Sequence, residues 1–436
     1  MYSIEETSPV REAQQKSVAS RGKKLQRKRL KVAYIMSRFP KLTETFVLYE
    51  MIAVQKEGVQ VETYPLLREK AKVIHPDAVP FVEAAHFQPF ISFPILRAQW
   101  YFLRRQPGKY IQTLWTLLRA NWGSFRFFTG ILGIFPKSVL FAYQMKAENI
   151  DHVHAHFASH PAAAAFIIHR LAGIPYSFTA HGSDLHRDRH MLREKVAEAA
   201  FVVAISDYNK ELIIEECNGN FRDKVIVIHC GVDTGVFTDQ TGASASGNGK
   251  HPFTIVCVGT LHEVKGQAYL IEACANLHKK GLDFMCHFVG DGPDRPALMG
   301  LTEQAGISAR VQFHGQQTRE RVAQLMREAD VLVAPSVPTS DGRREGIPVV
   351  LIEAMSSGVP VIASRLSGIP ELVVHEQTGL LTTPRDAASI TDALERYYHD
   401  PALRKQLGQA GRQKVAEEFD LYKNAAKLIQ HIGSEN

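Results

Sequence analysis

The chain has 436 residues, 45% of them apolar and 22% charged, with a net charge of +6 at neutral pH. That length suits two domains, and the balance is that of an ordinary soluble globular protein. Five cysteines, an odd number without paired metal-type spacing, favour reduced thiols in a cytosolic compartment over a disulfide framework. No apolar core marks a signal peptide, and no run reaches the roughly 18 apolar residues a bilayer span needs. The longest such run, Phe127 to Pro136, is bracketed by Arg126 and Lys137.

Residues 1–29 are polar and close on RGKKLQRKR. Such a tail is either solvated and disordered or drawn to anionic lipid, where each base adds on the order of 1 kcal/mol. No nucleic-acid module follows it, so nucleic acid is not an expected partner. Leu30 to Met36 reads as a buried strand, followed by a loop through Arg38, Lys41 and Glu44 and an apolar helix from Thr45 to about Lys56. Ligands gather where the strands of such α/β units end, so these three charges are contact candidates, or simply surface charges.

Residues 89–145 hold all three tryptophans, Trp100, Trp115 and Trp122, among many bases. Interleaved aromatic and basic residues at helical spacing suit either a membrane-interface helix or a pair of helices packed on their own domain. In HVHAHFASH, His152, His154 and His156 share one face if extended. Three imidazoles can ligate a metal, but no nearby carboxylate completes a set, so they are read as lining the end of a buried strand, with no metal. After the helix Pro161 to Ala172, the strand Tyr176 to Thr179 ends at His181-Gly182, a strand-end histidine placed for chemistry with a sugar hydroxyl. Asp184 is read as a helix cap, as is Ser206 after the strand Phe201 to Ile205.

After the strand Lys224 to Ile228 comes a Gly/Ser-rich stretch, residues 238–250, which reads as a flexible linker. The strand Phe253 to Val258 then turns through Gly259 and Thr260 to Lys265 and Gly266, a geometry suited to phosphate. Further strands are expected at His287 to Val289, Val311 to Gly315 and Val331 to Pro335. Glu345 and Glu353 then flank a segment in which Gly346 frees the backbone and Pro348 is placed to open a helix that stops near Gly358. Helix-opening amides suit phosphate, and acceptor-only carboxylates suit hydroxyls, which together suggest a nucleotide sugar.

This stretch, EGIPVVLIEAMSSG with PVIAS and SGIPE after it, resembles the Glu-x7-Glu signature of retaining glycosyltransferases of the GT-B fold, especially family 4. SRFPKLTETFVLYE and HAHF resemble bacterial exopolysaccharide enzymes of the colanic-acid type, and Val232-Asp233 followed by Phe237 resembles the segment that precedes the second domain. The resemblance implies an α/β GT-B fold with two Rossmann-like domains. The expected divisions are a tail 1–29, an acceptor domain 30–237, a linker 238–250, a nucleotide-sugar domain 251–418, and a terminal helix 419–436 returning to the first domain.

It also implies His181, Glu345 and Lys265 as catalytic residues, and Gly259, Thr260, Lys265, Gly346, Ile347 and Glu353 as donor contacts. Glu345 would hold sugar hydroxyls and Glu353 the ribose diol. The family carries arginine where Thr260 stands, so half of a positive clamp is replaced unless Arg343 or Arg344 serves. No Asp-x-Asp occurs, so no metal is indicated and no cofactor is expected beyond the donor itself, a UDP- or GDP-linked sugar. The expected function is a metal-independent retaining glycosyltransferase acting on a lipid-linked glycan or polysaccharide precursor. Its expected location is the cytoplasm, on the inner-leaflet membrane surface if residues 89–145 dock there. Alternatives are an epimerase or hydrolase of nucleotide sugars, or an inactive nucleotide-sugar-binding protein.

Overall fold

The computed structural model describes residues 29–41, 44–70, 75–186, 189–235 and 252–434. The expected tail (apart from Arg29) and the expected linker 238–250 lie outside the described residues. Two six-stranded parallel sheets organise the chain, in the orders β2-β1-β3-β4-β5-β6 and β12-β11-β10-β7-β8-β9. The first comprises β1 (Lys31–Phe39), β2 (Gln60–Arg68), β3 (His152–His156), β4 (Tyr176–Ala180), β5 (Phe201–Ala204) and β6 (Val225–Val227). The second comprises β7 (Phe253–Val258), β8 (Phe284–Val289), β9 (Val311–Phe313), β10 (Val331–Ala334), β11 (Val361–Ser364) and β12 (Leu380–Thr382).

Runs such as FTIVCV and VLVA are apolar throughout because helices cover both faces of each sheet. In the first domain one face packs α1 (Thr45–Lys56) and the terminal helix, and the other packs the aromatic helices. Those are three helices rather than the expected pair: α2 (Phe93–Arg105), α3 (Pro107–Ala120) and α4 (Phe125–Ala147). The apolar run that looked too short to span a bilayer continues helically through Pro136 to Ala147, so α4 is long and apolar enough to cross a membrane by length and composition. Half of that span is nevertheless buried, against α2 and α5 (His160–Ala172).

Strand order reverses between β1 and β3 in the first sheet, and between β7 and β10 in the second. Parallel sheets bind ligands in the crevice at such a switch point, beyond the carboxyl ends of the strands. The two crevices are brought face to face by the chain crossing. Val232 and Asp420 form a bridge, Leu421 N–H donates to the Val232 carbonyl at 3.0 Å, and Asn424 reaches the His229 carbonyl at 3.0 Å. The terminal helix α11 (Leu421–Ser434) then packs on α1, burying Leu421, Ala425, Leu428 and Ile432 in the first domain.

Candidate active site

The second switch point builds the half of the site that holds Lys265 and Glu345. After β7, Gly259 holds φ +152°, a conformation L side chains rarely adopt, and Lys265 lies against it: a Cβ there would stand 3.2 Å from Lys265 Cε. Gly266, at φ +66°, starts α8 (Gln267–Lys279) so close to the loop after β10 that a Cβ would stand 1.9 Å from the Pro335 carbonyl oxygen. This interlock brings the two loops together. Lys265 Nζ donates to Glu345 Oε1 in a partly buried ion pair, and Ser336 Oγ donates to Glu345 Oε2 at 2.5 Å. Lys265 therefore stands beside the residue that precedes Gly346, close enough for both to face one anion.

The helix that follows, labelled α10, spans Val349–Ser356, with Pro348 as its cap instead of its first residue. Pro348 has φ −63° and an extended ψ of 124°, outside the helical range, so the helix starts one residue later. The Ile347 side chain is buried in the core beneath. Glu353, in the second turn of α10, is pushed by burial up to about 7, opposed by the Arg319 guanidinium. Arg319, which opens α9 (Arg319–Glu328), also stacks on Tyr49 of the first domain, 4.4 Å from the ring centroid. Thr260 is exposed, and its carbonyl accepts from Gln267 at 3.0 Å. Arg343 Nη1 lies 3.4 Å from His262 Nε2 on the same loop, whereas Arg344 reaches Tyr208 of the first domain at 3.3 Å. Of the two arginines, Arg343 is thus the one that reaches the loop carrying Thr260, through His262.

The first domain supplies the histidines. His181 caps the short α6 (Gly182–Leu185), buried against Phe46 and Phe157. Burial, then the adjacent His156, holds its imidazole well below the usual range, so it is neutral. His181 Nε2 lies 3.2 Å from His156 Nδ1, and His156 Nε2 lies 3.2 Å from Glu50 Oε1. Burial pushes the Glu50 carboxyl up, but His156, His154 and the Tyr34 hydroxyl outweigh it and hold it below the usual carboxylate range. An ionised carboxylate only accepts, so His156 donates through Nε2, which turns its Nδ1 toward His181 Nε2. A Glu50–His156–His181 chain thus fixes the ring that faces the cleft.

Glu50 also corrects the sequence reading that no carboxylate joins the HVHAH strand. Helix α1 delivers it, and its Oε1 with Nε2 of His154 and His156 forms a set within 4.8 Å, of metal-ligand type. His154 Nε2 pairs with Thr179 at 3.0 Å and its Nδ1 with Ser177 at 2.8 Å, so both of its ring nitrogens are hydrogen-bonded. A second correction concerns Asp184. Its carboxylate accepts from the Ala158 amide at 2.5 Å, pinning the loop after β3 where a cap was expected, and burial pushes it up to about 7. Ser206 does cap α7 (Asp207–Glu216), accepting from Asn209 N–H at 3.1 Å.

The two halves touch. A Cβ on Gly182 would stand 2.8 Å from the Gly346 amide nitrogen, and one on Gly368 would stand 2.8 Å from Ser206 Cβ. Gly182 follows His181 directly, so the histidine, Gly346, Glu345 and Lys265 converge at one cleft. Glu371 crosses that cleft as well, accepting from the Asp207 and Tyr208 amides at 2.8 and 2.9 Å. Arg38, Lys41 and Glu44 instead line a separate recess with His75, where Lys41 pairs with Glu44 and Arg38 lies 3.7 Å from Glu69. The residues that sequence reasoning missed are Glu50, Arg319, Ser336 and Glu371. Two of them lay inside stretches already singled out: Glu371 in SGIPE and Glu50 at the end of SRFPKLTETFVLYE.

Residues 241–414 match the family described as glycosyl transferases group 1, and residues 119–236 match glycosyltransferase family 4. The chain is 29% identical to the provisionally assigned colanic acid biosynthesis glycosyltransferase WcaL of Salmonella typhimurium, over 92% of this chain and all of that one. It is 30% identical to the provisionally assigned teichuronic acid biosynthesis glycosyltransferase TuaC of Bacillus subtilis, over 64% of this chain and 69% of that one. Among solved structures, HepE of Anabaena in complex with UDP superposes with a TM-score of 0.68 at 16% identity, covering 93% of this chain and all of that one. With its paired parallel sheets facing across a cleft, this chain belongs to the group 1 and family 4 glycosyltransferases and has their GT-B fold.

Proposed function

We propose that this glycosyltransferase moves a sugar from a UDP- or GDP-linked donor to a lipid-linked glycan in exopolysaccharide synthesis, with retention of anomeric configuration. The observation that carries the reading is the Lys265–Glu345 pair beside the Gly346 amide, at a strand-order reversal and in contact with Gly182. The Lys265 ammonium and the amides from Gly346 onward face the donor diphosphate and stabilise the charge that develops as it leaves. Arg343 stands in for the arginine replaced by Thr260. Glu345 accepts from sugar hydroxyls, Glu353 from the ribose, and neutral His181 from a hydroxyl beside the reacting carbon. Attack comes from the face on which the phosphate departs, and that phosphate takes the acceptor proton.

Support for the donor class comes from HepE, whose structure holds UDP, and for the pathway class from the names of WcaL and TuaC. The exposed aromatic and basic helices favour peripheral attachment to the cytoplasmic face of the membrane. Lys265→Ala and Glu345→Ala test the roles: each lowers turnover on the order of a hundredfold, followed as release of nucleoside diphosphate from the donor. Unaltered turnover in both refutes them. Donor consumption that needs no acceptor makes the protein a hydrolase or epimerase, and saturable donor binding without turnover makes it a binding module.

A further inference from the structure

Away from the cleft, a groove holds about 1020 Å³ of empty space, part of it open to solvent, between α4 and the ends of β1 and β2. Its walls are mainly apolar, from Leu66, Leu67, Phe90, Phe125 and Ile134. Gly133 keeps its floor low: a Cβ there would meet only the Phe90 ring, at 4.0 Å. The mouth belongs to the aromatic surface of the domain, since Phe90 is 55% and Phe125 85% exposed. The inner end reaches Ser37, at the carboxyl end of β1 and on the same sheet edge as His156 and His181.

One residue in this apolar setting is out of character. Lys137 lines the groove at 3% exposure, its Nζ donating to the Leu66 carbonyl at 2.6 Å and lying 4.5 Å from the Phe90 ring centroid. No acidic side chain pairs with it, nor with Arg126 on the same wall, among the described residues. A buried ammonium without a counter-charge is costly, and an anion arriving with an apolar body relieves that cost. A soluble phosphate would satisfy the cation yet leave the apolar walls wet.

We propose that this groove binds the lipid part of the acceptor, a long-chain lipid phosphate, with its chain between Phe90 and Phe125 and its phosphate at Lys137. The inference rests on the lipid-linked acceptor reading above and adds the site. The chain enters from the aromatic surface, the phosphate stops at Lys137 beside Ser37, and the sugar end runs along the strand ends toward His181.

The test measures binding of farnesyl phosphate by the full-length protein, with farnesol and inorganic phosphate as controls and UDP binding followed in parallel. Saturable binding of farnesyl phosphate is expected, with inorganic phosphate failing to displace it. Lys137→Met raises the dissociation constant for farnesyl phosphate on the order of tenfold and leaves farnesol nearly unchanged, because only a charge-assisted contact is lost. Gly133→Phe fills the groove and weakens both lipids while UDP binding persists. If both variants bind farnesyl phosphate like the wild type, or inorganic phosphate competes equally, the inference is overturned. Wild-type protein that binds UDP but no lipid phosphate also sinks it while leaving the donor reading intact. A failure to bind UDP strikes that reading instead.

Discussion

Glu353 shows how a single side chain is tuned by its neighbours. Its carboxyl is pushed by burial from an ordinary 4.5 up to about 7, with Arg319 pulling the other way. A folded value above the unfolded one means the folded state binds the proton more readily, so stability falls as pH rises from about 4.5 through about 7. Glu353→Gln, which mimics the protonated form, is therefore expected to raise stability at pH 8 by on the order of 1 kcal/mol and to change nothing near pH 4. Thermal unfolding of both proteins across that range checks it, and an equal gain at both ends contradicts the burial account. His181 is shifted in the opposite direction to the same effect: burial lowers its pKa and keeps the imidazole uncharged.

At the scale of elements, α2 to α4 use one stripe for the core and offer another to the exterior. Ile95, Ala98, Phe102 and Leu117 are buried, whereas Trp100, Trp115 and Trp122 are 63%, 65% and 78% exposed. Arg104 lies over Trp100, with its guanidinium 5.7 Å from the ring centroid. Amphipathic rings with cations beside them are what a headgroup region stabilises. Replacing the three tryptophans by serine is expected to reduce sedimentation with anionic lipid vesicles at least several-fold while UDP binding stays unchanged. Equal sedimentation of the variant would remove the membrane reading. Of the two sequence alternatives for this region, packing on the domain is realised, and the exposed tryptophan face is what that test addresses.

For the whole molecule, the consequence of two facing sheets is a cleft bridged by contacts from both domains. Glu371 caps α7 from the opposite domain, joining the second domain's SGIPE segment to the first domain's Asp207 and Tyr208 amides. A carboxylate on helix-opening amides is a favourable, salt-screened contact worth about 1 kcal/mol. Glu371→Ala is expected to speed hydrogen exchange at those two amides on the order of fivefold or more, with exchange in the β7 to β10 core unaffected. Protection that does not change would show that the cleft is held by other contacts, such as Gly182 on Gly346.

What the sequence determined by itself was local and periodic. Apolar runs placed most strands within a residue or two, α1 matched at both ends, and the EGIP, SGIPE and Lys265-Gly266 stretches carried the family and the GT-B architecture. It did not give β2, whose QVETYPLLR carries two charges and a proline, or the three-residue β12. Nor could it pair residues far apart in the chain. Glu50 reaches His156 across 106 positions and Arg319 reaches Tyr49 across 270, with no spacing rule to link them. Propensity and patterning act over a turn or a strand, whereas the site and the groove arise where crossing connections bring distant strand ends to one edge, and only the folded sheet order decides that.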